Sequence, residues 1–301
     1  MHFPEVRACF DEMDRVFADH PRGYVLSDRV FPPPTFSPEE QAETEAHLWK
    51  MDVAVEAIYT ANHAMHTLLT LLGVQPDVML GHSTGELSAM HAADMFDQDD
   101  YERRLHELNR VYGGASVVEK RSAKARLIAV GASREKVDTI CAAIDDEAWV
   151  AMDNCRHQVV IVARGDVGDR VETLLKAEGL LYEVLSFDRP YHTAAFGEYA
   201  EELRLRQYLN ELIARPPRVP LYSATSTAVF PEDLGAVREL AFDHWIKPVE
   251  FRAVVEKMYA EGVRLFIEVG PRGNLTAFID DILAKKPYAA IPANVSRRSG
   301  L

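Results

Sequence analysis

The chain has 301 residues, 48% of them hydrophobic, which is enough for a large core in one or two domains. The formal net charge of −14 argues against nucleic acid as a partner. No segment approaches the about 18 consecutive apolar residues of a membrane-spanning helix. The three cysteines, Cys9, Cys141 and Cys155, are scattered, so neither a disulfide framework nor a zinc site is expected. With no signal-peptide core at the N-terminus, these features predict a cytoplasmic protein.

The first part of the chain is predicted to be mostly helical. Ser37 is the predicted N-cap of a helix, with Pro38 in the first turn and Glu40 three residues after the cap. The elements are, in chain order, helix Pro4–Phe17, a proline-rich loop at 21–40, a helix at 41–72 broken once, strand Val78–Leu80, a helix over Leu87–Met95 and a helix at 99–112.

The segment from Arg126 to Phe187 follows the order βαββαβ, which is typical of a ferredoxin-like unit. Its elements are strand Arg126–Gly131, a helix capped by Ser133 and running to Ile144, strands Trp149–Met152 and Val159–Ala163, helix Val167–Ala177 and strand Tyr182–Phe187. Further alternation follows: a helix at 196–213, strand Val219–Ser223, a helix at 248–261, strand Arg264–Val269, another helix and strand Ala289–Pro292.

This alternation predicts an α/β fold, a hydrolase-like parallel sheet with helices on both faces that carries an inserted ferredoxin-like subdomain. The expected boundaries are 1–125 and 188–301 for the large subdomain and 126–187 for the small one. No repeat of fixed period and no low-complexity tract is present.

The segment DVMLGHSTGELSAM, at 77–90, places a serine at the turn from a strand into a helix. Gly81 and Gly85 flank Ser83, where a side chain would crowd the turn. This is the G-x-S-x-G nucleophile-elbow pattern, and it predicts Ser83 as a nucleophile. The backbone N–H of Thr84 would then face the negative charge that develops on an attacked carbonyl. Because this five-residue pattern also occurs by chance, the prediction depends on the strand that precedes it and the helix that follows it.

A serine nucleophile needs a base, usually a histidine. His82 adjoins the serine, but neighbouring side chains on an elbow point apart, so it is expected to be structural. His63, His66 and His106 lie on helix patterns, where surface or core roles are common. His192, in SFDRPYHTAAF, lies where the chain returns from the small subdomain. It is therefore the candidate base.

Together these motifs resemble the acyltransferase domains of fatty-acid and polyketide synthases, the malonyl-CoA:acyl-carrier-protein transacylase family. GHSTGE at 81–86 matches the family's GHSxGE, and PYHT at 190–193 matches its catalytic-histidine segment. NCRHQVVIV at 154–162 matches a segment with a spaced Asn and Gln, here Asn154 and Gln158. FIEVGPRGNLTAFI at 266–279 matches the C-terminal EVGP signature. Residues 21–56 look most like acyltransferase domains of large synthases for polyunsaturated fatty acids or glycolipids.

The resemblance implies a ping-pong reaction without a bound cofactor or metal. Ser83 would take an acyl group from acyl-CoA and pass it to the phosphopantetheine thiol of an acyl carrier protein. His192 would be the general base, oriented by a backbone carbonyl that we place near the loop at 270–274. His82, Asn154 and Gln158 would line the substrate site. The expected partners are the carrier protein and other domains of a multidomain synthase.

The chain departs from the family at its start. Family members begin with an apolar strand and a G-Q-G-S-Q loop that supplies a second oxyanion donor, whereas this sequence begins at HFPEVRACF, which corresponds to the following helix. Losing one donor typically costs about 100- to 1,000-fold in turnover. Two alternatives to a transferase therefore remain: a non-catalytic scaffold domain of a synthase, and a serine hydrolase of acyl thioesters.

A second departure concerns the acyl group. Malonyl-selective members carry an arginine 25 residues after the serine, where this chain has Leu108. Arg110 is close, but two residues along a helix turn it by about 200°. A malonyl carboxylate beside leucine would be buried unpaired, which favours an uncharged acyl group. Arg189, three residues before the base, could instead replace the missing arginine and bind a malonyl carboxylate. The simpler interpretation of Arg189 is a loop residue that faces solvent. Tyr191 would narrow the pocket against an α-methyl branch.

The run EKRSAKAR, at 119–126, is the densest local positive charge in this acidic chain. Its simpler interpretation is a solvated loop. Because the family's carrier proteins are acidic, Lys120, Arg121, Lys124 and Arg126 are also the candidate docking patch.

Overall fold

The computed structural model describes residues 3–20, 22–48, 51–97, 103, 105–106, 125–144, 147–165 and 167–295. The helices are α1 Pro4–Val16, α2 Leu26–Val30, α3 Pro38–Leu48, α4 Met51–Leu71, α5 Thr84–Ala92, α6 Arg134–Ala142, α7 Val167–Ala177, α8 Gly197–Glu202, α9 Leu205–Leu212, α10 Leu234–Ile246, α11 Phe251–Ala260 and α12 Asn274–Ile282. The strands are β1 Met79–Leu80, β2 Ala125–Val130, β3 Ala148–Cys155, β4 Gln158–Arg164, β5 Tyr182–Val184, β6 Leu221–Ser223, β7 Ala228–Val229, β8 Leu265–Glu268 and β9 Ala289–Pro292.

Strands β2 to β5 form an antiparallel sheet in the order β3-β4-β2-β5. The first and third strands of the βαββαβ unit lie at its centre, as the ferredoxin-like topology requires. Alternation along β2 gives the sheet two apolar faces: Ile128 packs with α6 and α7, while Leu127 packs with α11 and α12. The second face therefore attaches this sheet to the rest of the molecule.

Parallel pairing is found outside that sheet. Met79 of β1 pairs with Leu221 of β6, and Leu265 of β8 pairs with Ala289 of β9. A short antiparallel strand, β7, extends the first pair. These pairs and their covering helices confirm the α/β fold class. Among the residues that the structure describes, no strand pairing joins β1 to β8, so the parallel strands form two separate sheets.

The largest apolar cluster lies among α1, α4, α5 and the helices of residues 194–246. Its fully buried aromatic side chains include Phe17, Phe96 and Phe196. It packs against the far side of α5, so the helix that follows the elbow is held by a large core. In the described parts of the chain, no helix combines the length and the apolar character that crossing a membrane would take.

Most of the predicted elements are confirmed, two of them with the same limits: α7 and β9. Both predicted caps form, because Ser133 Oγ accepts from the N–H of Lys136 and Ser37 Oγ accepts from the N–H of Glu40. The predicted helix at 99–112 lies almost wholly outside the described residues. The boundaries at 125/126 and 187/188 stay a prediction.

Four element predictions are wrong. The loop predicted at 21–40 contains α2, and no helix was predicted where α10 lies, although its Asp233 cap accepts from the N–H of Ala236. The helix predicted at 196–213 is broken where Arg204 takes a left-handed φ of 52°. The strand predicted at 182–187 ends at Val184.

Candidate active site

Ser83 stands on a strained turn between β1 and α5. Its φ is 52° and its ψ is −125°, a conformation that non-glycine residues seldom adopt. Gly81 is required here, since an added Cβ would lie 2.2 Å from the Cα of Glu86. The matching expectation for Gly85 is wrong, because a Cβ there would meet nothing within 4 Å. The helix begins at Thr84, three residues earlier than the apolar pattern indicated, and so directly adjoins the serine.

The structure brings Ser83 and His192 together. The distance between Ser83 Oγ and His192 Nε2 is 2.8 Å. His192 is only 5% exposed, and its own φ of 61° turns the ring toward the serine from the loop that follows β5. The two residues are 109 positions apart in the sequence, so the fold creates the pair.

The carbonyl oxygen that orients His192 belongs to His244, at 2.7 Å from Nδ1. The expected position near residues 270–274 is therefore wrong. A carbonyl can only accept, so Nδ1 carries the proton and Nε2 is left to accept from the Ser83 hydroxyl. The N–H of His192 donates to the carbonyl of Trp245, which fixes the backbone of the base at the C-terminal end of α10.

Burial sets the protonation state of the base. Desolvation first, and then the charge of neighbouring His244, lower the pKa of His192 well below the ordinary histidine value. A neutral imidazole is the form that accepts a proton. At neutral pH, His192 is therefore expected in the form that could accept the proton of the Ser83 hydroxyl.

Thr84 occupies the first position of α5, where an α-helix offers its N–H no carbonyl partner. The N–H groups of Gly85 and Glu86 donate to the carbonyls of His82 and Ser83. The Thr84 N–H and the helix dipole are thus placed for an anion beside Ser83 Oγ.

Three of the candidate substrate residues form one hydrogen-bonded row. His82 Nε2 donates to Asn154 Oδ1 at 2.7 Å, and Asn154 Nδ2 donates to Gln158 Oε1 at 3.0 Å. Desolvation lowers the pKa of His82, so it is a neutral donor. Its ring lies edge-on to Phe251, at 5.2 Å between centroids. The row joins the elbow to the small subdomain and lines the cavity that also contains Ser83 and His192 in its wall.

A cavity of about 2310 Å³ contains Ser83 and His192 in its wall. Residues of β1, β8, β2 and the loop before the base all contribute to it. Arg189 and Tyr191 lie in this wall and are 6% and 8% exposed. The interpretation of Arg189 as a solvent-facing loop residue is therefore wrong. Tyr191 packs against Phe196, at 4.8 Å between ring centroids, and desolvation raises its pKa, so it stays a neutral wall residue.

Two predictions on this site fall on the undescribed part of the chain. Leu108 lies outside the described residues, as do Lys120, Arg121 and Lys124 of the basic run. Arg126 is described, and it donates to Asp169 at 2.6 Å and to Glu172 at 2.9 Å. Its charge is thus already paired within the small subdomain. In the described ranges, no group of three or more His, Cys, Asp and Glu residues is arranged to hold a metal ion.

Sequence reasoning missed His244. No motif identified it, because it lies on α10, the helix that was not predicted. It lies 161 residues from Ser83 in the sequence, yet its Nε2 is 3.0 Å from the Ser83 carbonyl oxygen. Only a tertiary contact brings it there.

Comparison with known proteins gives a family match. Residues 2–296 match the family model described as acyl transferase domain. The chain belongs to the acyl transferase domain family.

Two curated relatives are synthases. The chain is 28% identical over 251 residues to the spectinabilin polyketide synthase system protein NorB of Streptomyces orinoci, covering 83% of this chain and 11% of that protein. It is 26% identical over 232 residues to a polyunsaturated fatty acid synthase protein of a Thraustochytrium species, covering 76% of this chain and 8% of that protein. The chain thus spans about a tenth of the length of these relatives.

Among solved structures, the chain is similar to an acyl carrier protein S-malonyltransferase from Vibrio cholerae. The identity is 25% and the TM-score is 0.77, with 98% of this chain and 90% of that chain covered. The resemblance to synthase acyltransferase domains and to malonyl transacylases is thereby confirmed.

Proposed function

We propose that this chain moves an acyl group from acyl-CoA to the phosphopantetheine thiol of an acyl carrier protein, through an ester on Ser83. The observation that carries the proposal is the 2.8 Å contact between Ser83 Oγ and His192 Nε2, in a chain of the acyl transferase domain family. Nothing but substrates is needed for this chemistry, since serine is the nucleophile and histidine the base.

In the first half-reaction, Ser83 Oγ attacks the thioester carbonyl while its proton passes to His192 Nε2. The oxyanion of the tetrahedral intermediate accepts a hydrogen bond from the N–H of Thr84. The intermediate then collapses. The carbon–sulfur bond breaks, and the departing coenzyme A thiolate takes the proton from His192. The acyl group remains on Ser83 as an ester.

The second half-reaction reverses these steps with another thiol. The carrier's phosphopantetheine thiol gives its proton to His192 Nε2 and attacks the ester carbonyl. Collapse breaks the bond to Ser83 Oγ, which recovers the proton from His192. The carbonyl of His244 accepts from Nδ1 throughout, so it stabilises the imidazolium that forms in both steps.

Arg189 supports a carboxylated acyl group such as malonyl. Its guanidinium lies in the cavity wall three residues before the base, with Nε 3.6 Å from Asp188 Oδ1, and its planar array of N–H donors suits a substrate carboxylate as a further partner. The named activity of the Vibrio cholerae protein agrees with this choice. The opposite expectation, an uncharged acyl group, depends on Leu108. That expectation stays a prediction, and competition among malonyl-CoA, acetyl-CoA and octanoyl-CoA for Ser83 tests it.

The synthase relatives support a role beside other catalytic domains, with a carrier protein as partner. Such a role fits a cytoplasmic enzyme that uses coenzyme A thioesters. The chain would load acyl groups onto a carrier protein in fatty-acid or polyketide-type biosynthesis.

The experiment follows radiolabelled acyl-CoA through the wild-type chain, with and without a phosphopantetheinylated carrier protein. We expect label on the chain alone and its movement to the carrier when carrier is added. Release of label as free acid at the same rate with and without carrier would show a hydrolase. A chain that never takes up label would be a scaffold, and either result would overturn the proposal.

A further inference from the structure

A buried ion pair lies directly beneath the nucleophile. Glu86, in the first turn of α5, is fully buried, and its Oε2 lies 3.2 Å from Nδ1 of His244. Ser223 Oγ donates to both carboxylate oxygens, at 3.2 and 3.4 Å. A buried carboxylate is costly unless it is paired and hydrogen-bonded, and here it is both.

His244 contacts both members of the catalytic pair. Its Nε2 donates to the carbonyl of Ser83 at 3.0 Å, and its own carbonyl accepts from His192 Nδ1 at 2.7 Å. The rings of His192 and His244 meet edge to face, with centroids 4.9 Å apart. One residue on α10 therefore holds the nucleophile by its side chain and the base by its backbone.

The partners of the His244 ring require two protons on it. The carbonyl of Ser83 can only accept, and the carboxylate of Glu86 accepts on the other side. Thr225 Oγ1, at 3.3 Å from Nδ1, is a further polar neighbour. Burial by itself lowers the pKa of His244, but the charge of Glu86 and the hydrogen bonds to Glu86 and Ser83 outweigh it, so the pKa lies above the ordinary value.

We propose that His244, as an imidazolium paired with Glu86, is a positioning residue that holds the strained Ser83 backbone and keeps the adjacent His192 ring neutral. The proposal rests on the proposed function of Ser83 and His192. It adds a residue that touches no substrate. Two observations support it: the positive φ of Ser83 needs an external restraint, and a cation beside His192 disfavours a second proton there.

The sign of the pH effect follows from the charges around His244. The titratable groups that face it are Glu86 from α5, His192 from the loop after β5 and His82 from the elbow. The active form has His244 charged and His192 neutral. Reactivity should therefore rise as His192 loses its proton below pH about 6.5, and fall as His244 loses its proton above that pH.

The test measures the rate at which a fluorophosphonate probe labels Ser83 between pH 5 and 10, in wild type, His244→Gln and Glu86→Gln. The probe reports an activated serine whatever the acyl donor is, so failure of acyl transfer and failure of this proposal are separate results. Glu86→Gln should move the alkaline limb to lower pH by about one unit or more. His244→Gln keeps a donor for the Ser83 carbonyl but has no titrating group, so it should lose that limb and label about tenfold more slowly.

His157→Gln is the matched control, since His157 also pairs with a carboxylate, Asp281, at 2.7 Å but is 80% exposed in its side chain. It should leave the profile unchanged. An alkaline limb that is the same in His244→Gln or Glu86→Gln as in wild type would overturn the proposal. Should a variant fail to fold, ¹⁵N-histidine NMR of the wild type decides: protons on both nitrogens of His244 at pH 7 support the proposal, and a neutral ring contradicts it.

Discussion

Gly81 packs directly against Glu86, so closely that a Cβ at position 81 would lie 2.2 Å from the Glu86 Cα. Both residues belong to the elbow, and Glu86 holds His244. Gly81→Ala should therefore lower the free energy of unfolding by about 1–3 kcal/mol, as overpacking does. It should also slow acyl loading, because the Ser83 turn must shift. Thermal unfolding and single-turnover loading measure the two effects.

Gly85→Ala is the matched control on the same turn. An added Cβ there meets nothing within 4 Å, and the residue lies in α5. We expect an unchanged loading rate and no loss of stability, since alanine is tolerated in the first turn of a helix. Equal destabilisation by both substitutions would contradict the contrast between a crowded position 81 and an open position 85.

The pH dependence of loading should reflect the buried base. The pKa of His192 is lowered by desolvation, and its neutral form is the active one, so on the acid side activity should fall as the pH drops through that lowered pKa. The acid limb of kcat/KM should have its midpoint below about 6.5, the ordinary histidine value. His192→Ala should reduce loading about 1,000-fold or more without unfolding the chain. An acid limb at or above pH 7 would contradict the assignment.

Whether the sequence predicts a residue of this site depends on whether its role arises from a local sequence pattern or from a tertiary contact. Ser83, Gly81 and the presence of α5 follow from a local pattern of strand, turn and helix, although α5 begins three residues before the predicted helix. His192 was predicted to be the base because it lies where the chain returns to the large subdomain. The structure places its Nε2 beside Ser83 Oγ. His244 has no local signal, since its role arises from a contact between α10 and the elbow. The burial of Arg189 could not be predicted either, because the proline and the charged residues around it are equally typical of an exposed loop.

The same contrast holds for the fold. Strands β2, β3 and β4 of the ferredoxin-like unit have six to eight mostly buried residues, and the order of the unit was predicted in full. Strand β7 has only two residues, too short for a pattern, whereas the equally short β1 was predicted within the apolar run Val78–Leu80. Helix α10 buries Phe242, His244 and Trp245 on several sides, so no single amphipathic face marks it in the sequence.

Arg189 should decide whether a carboxylated acyl group is accepted. We expect malonyl-CoA to outcompete acetyl-CoA and octanoyl-CoA for Ser83, and Arg189→Ala to reduce malonyl loading about tenfold or more while sparing acetyl loading. Arg264→Ala is the control, as this cavity-wall guanidinium donates to the Tyr259 and Val263 carbonyls. Preference for an uncharged donor in the wild type, with malonyl selectivity created only by Leu108→Arg, would instead support the expectation from the sequence.

The basic run at 119–126 should affect the second half-reaction. Reversing the charges of Lys120, Arg121 and Lys124 should slow transfer to the acidic carrier several-fold more than loading from coenzyme A, and the difference should shrink with added salt. Arg126→Gln should change neither rate, because that guanidinium is paired with Asp169 and Glu172. Equal slowing of both half-reactions, or of neither, removes this run from carrier docking.

The central claim is a covalent acyl group on Ser83. Intact-mass spectrometry after mixing with malonyl-CoA, followed by peptide mapping, measures it directly. We predict one added acyl mass on the peptide that contains Ser83, its loss when phosphopantetheinylated carrier is added, and no adduct in Ser83→Ala. Ser186→Ala, which removes an exposed serine from the same cavity wall, should retain the adduct. An adduct that persists in Ser83→Ala, or maps to another residue, would contradict the account.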